Sequence, residues 1–432
     1  MQCDYFNAGV CRSCAFMGEP YADQLARKQR DAAELLGGWA GLEWLRAFES
    51  RESHFRNKAK LAVGGAADAP TLGILDARMQ GVDLRECGLY EEGLAASFEV
   101  LGEFVGRAGL TPFDVTSGRG ELKNIVTTTA PDGALMVRFV LRSTEALPRI
   151  RKHLGWLREA LPEAAVVTVN LLPERKAVTE GREEVVLTEQ SALPMRLGGR
   201  DGRDETITLF LRPHSFFQTN TAVAEGLYAQ AREWVDDIVQ TDRSAPLRVW
   251  DLYCGVGGFA LSVAGPEREV LGVEISEQAV ESARLGAGTL LGVGAHSGHM
   301  DSVSSTGFFG DCGASSHSTA TSGTHNGVSK SSSQHAPIRF MTGDANAAAR
   351  AEGGSPDVLI VNPPRRGIGE LAQWIEQSEA RWLIYSSCNA KSLARDLAAM
   401  PSYRPRAARL FDMFPQTAHY ETMVLAERVS VT

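Results

Sequence analysis

The stretch LRVWDLYCGVGGF, residues 247–259, decides the fold that this sequence predicts. Its first seven residues form a short apolar run of the kind found in buried strands, and a glycine-rich turn comes directly after it. Gly255, Gly257 and Gly258 let the backbone turn tightly and approach a ligand closely before a helix begins. A strand, a tight turn and a helix in this order indicate an α/β domain whose ligand binds beyond the strand.

Strand-like and helix-like segments alternate from about Leu247 onward. The strand-like runs are short and almost continuously apolar, which is typical of parallel strands buried on both faces. Seven such runs succeed one another: LRVWDLY, EVLGVEI, IRFMT, DVLIVN, RWLIYS, RPRAARLFD and YETMVLAER. The expected fold class is α/β, with a doubly wound, Rossmann-like sheet of about seven strands in residues 206–432.

Glu274 ends the second of these strands, nineteen residues after Gly255. A carboxylate in that place can accept hydrogen bonds from both ribose hydroxyls of a nucleoside cofactor. The turn lacks the full G-x-G-x-x-G pattern and no Walker lysine comes after it, so nothing in it suits a pyrophosphate. S-adenosyl-methionine, a nucleoside without phosphates, fits better than NAD or ATP. The alternative is an ordinary α/β turn with an incidental glutamate.

Further candidate functional residues lie at the ends of later strands. Asn362-Pro363-Pro364-Arg365 ends one strand, and its prolines stiffen the chain at the edge where α/β sheets bind ligands. Cys388 follows another strand, just before a helix start at Ala390, where the helix dipole would favour a thiolate nucleophile. Glu421 begins the last strand and could act as a base. Each has an ordinary alternative. The Asn-Pro-Pro-Arg stretch could be a solvated loop, Cys388 a small buried hydrophobic residue, and Glu421 a surface charge.

The composition bounds the class of protein. A chain of 432 residues with 44% hydrophobic residues corresponds to two or three domains with apolar cores. No apolar run approaches the ~18 residues of a membrane helix, and MQCDYFNAGVCRSC does not read as a secretory signal. We therefore expect a cytoplasmic protein. Seven cysteines, an odd number in a reducing compartment, favour metal or catalytic thiols over disulfides.

Cysteines are concentrated near the N-terminus. Cys3, Cys11 and Cys14 lie within twelve residues, and Cys87 is distant. Four thiolates suit either zinc or an iron–sulfur cluster, and spacing alone does not decide between them. The spacing differs from the C-x3-C-x2-C loop of radical S-adenosyl-methionine enzymes, which makes that chemistry a poor fit. Unconnected reduced thiols are the alternative.

Two segments are basic although the whole chain carries a net charge of −9. Arg46–Lys60 holds five Lys/Arg and two Glu, a net of 5 − 2 = +3, and Arg119–Arg158 holds eight Lys/Arg and three Asp/Glu, a net of 8 − 3 = +5. The acidic total disfavours non-specific coating of nucleic acid, whereas local basic segments are candidate polyanion surfaces. For the second segment, which predicts two strands and a helix, a solvated helix face is the alternative.

Residues 295–336 break the alternating pattern. They include 12 Ser, 6 Gly, 4 Thr and five of the nine His, but only three charged residues among 42 positions. Such a composition cannot bury enough apolar surface to offset its ordering entropy, so a flexible insertion is expected, with a histidine metal site as a minor alternative. The expected divisions are residues 1–90, a central α+β region at 91–205, and 206–432.

Long ordered motifs make the chain resemble the RNA uracil-5-methyltransferase family, over nearly its whole length. These motifs are MQC…CRSC, FRNKAK, RAGLTPF, RGELK, RFVLRS, RPHSFFQTN, DLYCGVGGF, VNPPRRGIG, YSSCNA and LFDMFPQTAHYE. Within the family the chain is most similar to members that act on 23S ribosomal RNA. The resemblance implies a class I methyltransferase domain with seven strands, preceded by an α+β part that carries an iron–sulfur cluster.

The resemblance also implies roles for individual residues. The ligands of a [4Fe–4S] cluster would be Cys3, Cys11, Cys14 and Cys87. The residues that contact S-adenosyl-methionine would be Gln218, Tyr253, Glu274 and Asn362. Cys388 would be the nucleophile and Glu421 the base. Family members commonly have Phe at the position of Tyr253, and the 295–336 insertion has no counterpart in the family pattern.

The implied chemistry explains why a thiol and a base are needed. Uracil C5 is too weak a nucleophile to take a methyl group directly, so Cys388 would add to C6 and make C5 an enolate carbon. Glu421 would then remove the C5 proton so that the thiol can leave. The uridine would be flipped out of a loop of 23S rRNA, where extraction costs least, and a monomeric enzyme is expected.

The sequence also leaves other functions open. The chain could be an RNA uracil-5-methyltransferase with another uridine specificity. An Asn-Pro-Pro loop also resembles the loop that holds an exocyclic amine in amino-group methyltransferases, although those usually carry an aromatic residue where Arg365 stands. A non-catalytic RNA-binding protein with an iron–sulfur redox switch is the alternative from another class.

Overall fold

The computed structural model describes residues 1–174, 180–198, 206–241, 246–292 and 336–429. The expected insertion at 295–336 lies outside the described residues except for Ala336, and Cys312 lies outside them as well. Among the described residues, no helix has both the length and the apolar character that a membrane crossing requires.

The N-terminal residues form two helices and one short strand. These elements are α1 (Asp4–Asn7), α2 (Tyr21–Leu35) and β1 (Glu43–Trp44). Helix α2 begins after Pro20, and its buried positions include Gln24, Lys28 and Ala32, which share one face at helical spacing. Two of these three buried residues are polar, so α2 packs on its neighbours through polar groups as well as apolar ones.

The next elements build a sheet of seven strands with two helices. They are β2 (Lys58–Ala66), β3 (Ala69–Leu75), β4 (Gly81–Asp83), α3 (Glu92–Arg107), β5 (Leu122–Thr129), β6 (Leu135–Leu141), α4 (Leu147–Ala160), β7 (Ala164–Leu171) and β8 (Glu183–Val186). The strand order is β4-β3-β2-β5-β6-β7-β8. The two strands and the helix predicted between residues 119 and 158 are confirmed as β5, β6 and α4.

This sheet crosses the division expected at residue 90. Strand β2 pairs antiparallel with β5, so that Lys58 lies opposite Thr128 and Leu61 opposite Ile125. The apolar residues of these strands alternate toward α3 and α4 and form one core with them. Strands β2 to β8 therefore share a single sheet, although the expected division at residue 90 falls between β4 and β5.

A hairpin and a long helix lead into the C-terminal part. They are β9 (Leu193–Leu197), β10 (Ile207–Leu211) and α5 (Thr221–Thr241). The strands after them are β11 (Leu247–Leu252), β12 (Arg268–Glu274), β13 (Ile338–Thr342), β14 (Val358–Val361), β15 (Trp382–Ser387), β16 (Tyr403–Phe411) and β17 (Glu421–Arg428). The helices between these strands are α6 (Gly258–Ser262), α7 (Glu277–Leu290), α8 (Ala345–Ala351), α9 (Leu371–Gln377) and α10 (Ala390–Ala398).

All seven predicted strands of this part are confirmed, and they form one sheet. Its order is β1-β16-β17-β15-β14-β11-β12-β13, with β17 antiparallel to both of its neighbours. The eighth strand, β1, comes from the N-terminal region and pairs parallel with β16, with Glu43 opposite Ala407. A strand of two residues is too short to show a hydrophobic period, so the sequence does not reveal it.

The order of the strands changes direction at β11. Strands β12 and β13 lie on one side of β11, and β14 and β15 lie on the other. Apolar clusters cover both faces of the sheet, as buried parallel strands require. Ligands of open α/β sheets bind at such a switch point, beyond the carboxyl ends of the strands. The fold thus directs attention to the carboxyl edge around β11.

Candidate functional site

The turn after β11 is built for close approach. The carboxylate of Glu274 accepts hydrogen bonds from the backbone N–H of Gly255 at 3.1 Å and of Ser276 at 3.0 Å. Gly257 has φ +91°, in the left-handed region that favours glycine. A Cβ on Gly258 would lie 2.4 Å from the hydroxyl oxygen of Tyr228. Side chains at these glycines would therefore push the turn out of its position.

Three of the four predicted cofactor residues lie at the carboxyl ends of adjacent strands. Tyr253 follows β11, Glu274 ends β12, and Asn362 follows β14. The fourth, Gln218, is buried in the loop that leads into α5. The structure thus brings residues from three separate strands to one edge of the sheet.

Asn57 of the FRNKAK motif holds the loop that carries Gln218. Its side-chain Nδ2 donates to the carbonyl oxygen of Gln218 at 3.0 Å and to the hydroxyl of Thr221 at 2.8 Å. Its backbone N–H donates to the carbonyl oxygen of Thr219 at 3.0 Å. Asn57 is fully buried. The sequence contains this motif but does not indicate that its asparagine anchors a predicted cofactor loop.

Asp251 is a second anchor that the sequence does not reveal. Its buried carboxylate accepts the backbone N–H of Ala260 at 2.9 Å, and burial raises its pKa to about 7. The bond joins the end of β11 to α6 across the glycine turn. This aspartate therefore stabilises the turn that would hold the cofactor.

Cys388, directly after β15, and Glu421, the first residue of β17, lie next to each other. Strands β15 and β17 pair antiparallel with Ser387 opposite Thr422, so Cys388 and Glu421 are the next positions along this ladder. Burial raises the pKa of the Cys388 thiol, and the nearby charge of Glu421 raises it further. A positive charge and a hydrogen bond from Arg365 act in the opposite direction. The two residues predicted as nucleophile and base are thus brought together.

The carboxyl group of Glu421 is prepared to exchange a proton near neutral pH. It is 1% exposed and accepts a hydrogen bond from the Ser386 hydroxyl at 2.7 Å. Burial raises its pKa to about 7, while the hydrogen bond from Ser386 opposes that shift. A carboxylate with such a pKa can take a proton from a carbon acid and release it again to water.

Arg365 and His419 stand beside this pair. Arg365 Nη2 lies 3.1 Å from His419 Nδ1, and the Asn389 side chain donates to the carbonyl oxygen of Arg365 at 2.9 Å. Burial and the charge of Arg365 lower the pKa of His419, so the neutral ring can accept the arginine N–H. Neither contact is visible in the sequence, because residues 365, 389 and 419 come from three separate loops.

Phe216 is a further residue that sequence reasoning missed. It belongs to the RPHSFFQTN motif two positions before Gln218, and its side chain is 72% exposed. An exposed aromatic ring in that place offers a surface on which a base can stack. The signal available in the sequence was the motif itself.

The four N-terminal cysteines converge. Cys3, Cys14 and Cys87 belong to one small apolar cluster with residues such as Phe55 and Leu89. Burial raises the pKa of Cys14 to about 11, and the charges of Cys87, Cys11 and Cys3 add to that rise. In the part of the chain that the structure describes, however, no group of three or more His, Cys, Asp or Glu is arranged to hold a metal ion.

The second basic segment is partly neutralised inside the protein. Arg138 is buried and forms ion pairs with Glu180 and Glu184, the second of which also accepts from the Thr168 hydroxyl. Arg142 binds Glu121, and Arg149 binds Glu145. These three arginines cannot be counted as a phosphate-binding surface. The exposed cations on helix α4 are Arg151, Lys152 and Arg158.

Two lysines of the first basic segment lie on strand β2. Lys58 and Lys60 alternate with the buried Ala59 and Leu61, so they share the face of the sheet opposite the core. Burial lowers the pKa of both lysines, while the charge of Glu180 opposes that shift. Of the two, Lys60 is exposed and Lys58 is half-buried, so Lys60 is the one that a partner can reach from solvent.

The chain is similar to known RNA methyltransferases over its whole length. It matches the family model described as tRNA (Uracil-5-)-methyltransferase at residues 201–288 and 355–429. A Shigella sonnei protein named 23S rRNA (uracil(747)-C(5))-methyltransferase RlmC is 40% identical over 428 residues, covering 98% of this chain and 99% of its own. A relative of the same name from Edwardsiella ictaluri is 40% identical over 432 residues, which is 100% of both chains.

A solved structure shows the same fold. The crystal structure of Pyrococcus abyssi tRNA (uracil-54, C5)-methyltransferase in complex with S-adenosyl-L-homocysteine matches with a TM-score of 0.69. It is 20% identical and covers 96% of this chain and 85% of that chain. This likeness confirms the predicted α/β class I methyltransferase fold. The predicted iron–sulfur part stays a prediction.

Proposed function

Because the chain belongs to the RNA uracil-5-methyltransferase family, we propose that it methylates C5 of a uridine in 23S rRNA, with S-adenosyl-methionine as methyl donor. By similarity to the relatives, the target is uridine 747. The observation that carries the proposal is the placement of Cys388 beside Glu421, at the same sheet edge as Glu274 and Asn362. The enzyme would act as a cytoplasmic monomer.

The cofactor would occupy the carboxyl edge around β11. Glu274 would accept the ribose hydroxyls, while its carboxylate already accepts the N–H of Gly255 and so keeps the turn open beside it. Tyr253, which stands where relatives commonly have Phe, keeps an aromatic face. Gln218 and Asn362 would contact the remainder of the cofactor from their own loops.

The reaction depends on the positions of the thiol and the carboxylate. The Cys388 sulfur adds to C6 of a flipped uridine, and the electron pair of the C5–C6 double bond moves to make C5 nucleophilic. C5 would then take the methyl group from the sulfonium sulfur of S-adenosyl-methionine, and S-adenosyl-homocysteine would be left as the product. Glu421 removes the C5 proton, the double bond re-forms, and the Cys388 sulfur departs. Arg365 would favour the thiolate form before attack.

Methyl transfer is tested directly with purified protein, S-adenosyl-methionine and a transcript of the 23S rRNA region. Mapping 5-methyluridine in ribosomal RNA from cells with and without this gene then identifies the target. Loss of the modification at uridine 747 is the expected result. Loss at another uridine would indicate a different specificity. An RNA-binding protein that transfers no methyl group at all would contradict the proposal.

The four N-terminal cysteines are proposed to hold a [4Fe–4S] cluster. Cys3, Cys11, Cys14 and Cys87 supply four thiols, which is the donor set of such clusters, and apolar side chains pack around Cys3, Cys14 and Cys87. The cluster would tie the N-terminal residues to the loop of Cys87. A structural role for it in organising the RNA-binding part is favoured over redox regulation.

Anaerobically purified protein is therefore expected to be brown and to contain about four iron atoms per chain. Cys87→Ser should lose most of the iron, because three thiolates cannot complete the ligand set. Cys388→Ala serves as the matched control and should keep its iron, since that thiol lies outside the N-terminal cysteine cluster. A colourless protein with stoichiometric zinc would refute the cluster.

RNA is proposed to approach strand β2 on the side of the exposed Lys60, which would contact a phosphate. Lys60→Glu should weaken binding of the RNA fragment and reduce the slope of log affinity against log salt by about 0.7 per lost phosphate contact. Arg78→Glu, an exposed arginine in the turn between β3 and β4, is the matched control. Equal binding by the wild type and Lys60→Glu would remove this surface from consideration.

A further inference from the structure

Helix α2 presents two polar residues, Gln24 and Lys28, to the interior and carries the exposed Asp31 beside them. Gln24, Lys28 and Asp31 succeed one another at spacings of four and three, so they lie on one face of the helix. Gln24 is fully buried and Lys28 is 2% exposed. Polar side chains buried in this way need partners, because leaving them unpaired is energetically unfavourable. The hydrogen-bond partners of these side chains show which part of the chain helix α2 holds in place.

All three side chains bind the segment that joins β16 to β17, residues 412–420. The Lys28 ammonium donates to the carboxylate of Asp412 at 2.7 Å and to the carbonyl oxygen of Phe414 at 3.0 Å. The Tyr420 hydroxyl donates to the carboxylate of Asp31. Helix α2 therefore binds both ends of the 412–420 segment.

Gln24 holds the middle of the segment through a reciprocal pair of bonds. Its Oε1 accepts the backbone N–H of Gln416 at 2.9 Å, and its Nε2 donates to the Oε1 of Gln416 at 3.0 Å. Gln416 is fully buried and has φ +67°, a conformation that residues with a side chain adopt rarely. Such a backbone persists only where its surroundings hold it. Gln24 supplies that restraint.

The 412–420 segment matters because it leads directly into the proposed base. Glu421 is the next residue after Tyr420, and His419, which contacts Arg365, lies within the segment. The position of the Glu421 carboxylate is therefore set partly by the ladder with β15 and partly by the path of residues 412–420. The N-terminal loop also binds this segment, because the backbone N–H of Phe16 donates a hydrogen bond to the carbonyl oxygen of Gln416 at 2.9 Å.

We propose that the polar face of helix α2, formed by Gln24, Lys28 and Asp31, positions Glu421 for proton removal by fixing the 412–420 segment. The proposal rests on the assignment of Glu421 as the base in the proposed function. Gln24 touches neither RNA nor cofactor in this arrangement, so it is a positioning residue. Loss of the Gln24 side chain should therefore slow removal of the C5 proton more than thiol addition or methyl transfer.

The test measures the covalent protein–RNA adduct on denaturing gels during turnover. Gln24→Ala is expected to lower kcat by about 10- to 100-fold and to accumulate methylated adduct, because the thiol still adds but the C5 proton leaves slowly. KM for S-adenosyl-methionine should stay near the wild-type value. Gln29→Ala, a glutamine on the same helix whose Oε1 has no hydrogen-bond partner, is the control and should behave as wild type.

A milder variant keeps the proposal testable if Gln24→Ala fails to fold. Tyr420→Phe removes only the hydroxyl that binds Asp31, and it should accumulate adduct to a smaller extent in the same direction. In a Glu421→Gln background, Gln24→Ala should slow elimination no further, since both substitutions act on one step. If Gln24→Ala instead lowered the elimination rate in that background by the same factor as it does alone, helix α2 would merely stabilise the fold and the proposal would be overturned.

Failure of the base assignment has a different signature. If Glu421→Gln turned over without accumulating adduct, Glu421 would not be the base, and the positioning role would fall with it. If Glu421→Gln accumulated adduct while Gln24→Ala and Tyr420→Phe did not, the base would stand and the positioning role alone would be wrong.

Discussion

Replacing Cys388 by alanine is expected to abolish methylation of uridine C5, with a loss of at least about 10⁴-fold in rate. Without the sulfur that adds to C6, C5 has too little electron density to attack a sulfonium methyl group. No covalent protein–RNA complex should form with RNA that contains 5-fluorouridine at the target, because that complex requires the same bond. Transfer of labelled methyl groups and a denaturing gel measure the two effects.

The control for Cys388→Ala is cofactor affinity. Cys388 follows β15, whereas the proposed cofactor residues lie at the ends of β11, β12 and β14, so binding of S-adenosyl-homocysteine by calorimetry should be close to that of wild type. An amino-group methyltransferase would remain active without this thiol. Residual methylation near the wild-type rate would therefore contradict the proposed chemistry and favour that alternative.

Replacing Glu421 by glutamine is expected to stop the reaction one step later. The amide keeps the volume of the carboxylate and can still accept the bond from Ser386, but it cannot take the C5 proton. RNA should be methylated once on the enzyme and then remain attached to Cys388. Mass spectrometry of the trapped complex should show protein, RNA and one added methyl group. Free methylated RNA at wild-type yield would contradict the role of Glu421.

The pH dependence of adduct breakdown depends on the same residue. Burial raises the pKa of Glu421 to about 7, so the fraction of carboxylate able to accept a proton rises as the pH increases through 7. The breakdown rate of a pre-formed adduct should therefore increase from about pH 6 to about pH 8 and then level off. Isolating this step matters, because the raised pKa of Cys388 makes thiol addition increase with pH too. A flat profile would argue against a buried carboxylate as the base.

Much of the candidate site can be predicted because parallel strands share an edge. Glu274, Asn362 and Cys388 each follow or end an apolar run, and the carboxyl ends of neighbouring parallel strands meet at one side of a sheet. The local rule that buried strands are short and apolar was sufficient to find all seven strands. This rule does not show which strands are neighbours, since strand order is decided by packing of the crossover helices.

The basic segments show where counting charges misleads. The +5 of residues 119–158 predicts a polyanion surface, yet Arg138 is buried against Glu180 and Glu184, which lie more than forty residues further along the chain. An ion pair between distant residues leaves no trace in a composition window. Only the folded sheet shows that Ala59 and Leu61 of β2 face the core, so that Lys58 and Lys60 lie on the opposite face.

The sequence by itself determined the α/β class of the C-terminal part, its seven strands, the glycine turn and the candidate site residues at strand ends. These features depend on local backbone preferences and on apolar periodicity, which are written in neighbouring residues. Only the tertiary structure decided that β1 joins the C-terminal sheet, that Arg365 meets Cys388, and that helix α2 holds residues 412–420. Those contacts join parts of the chain separated by up to nearly four hundred residues, such as Gln24 and Gln416, whose numbers differ by 392. These contacts satisfy polar groups whose partners lie far apart along the chain, so no local pattern encodes them.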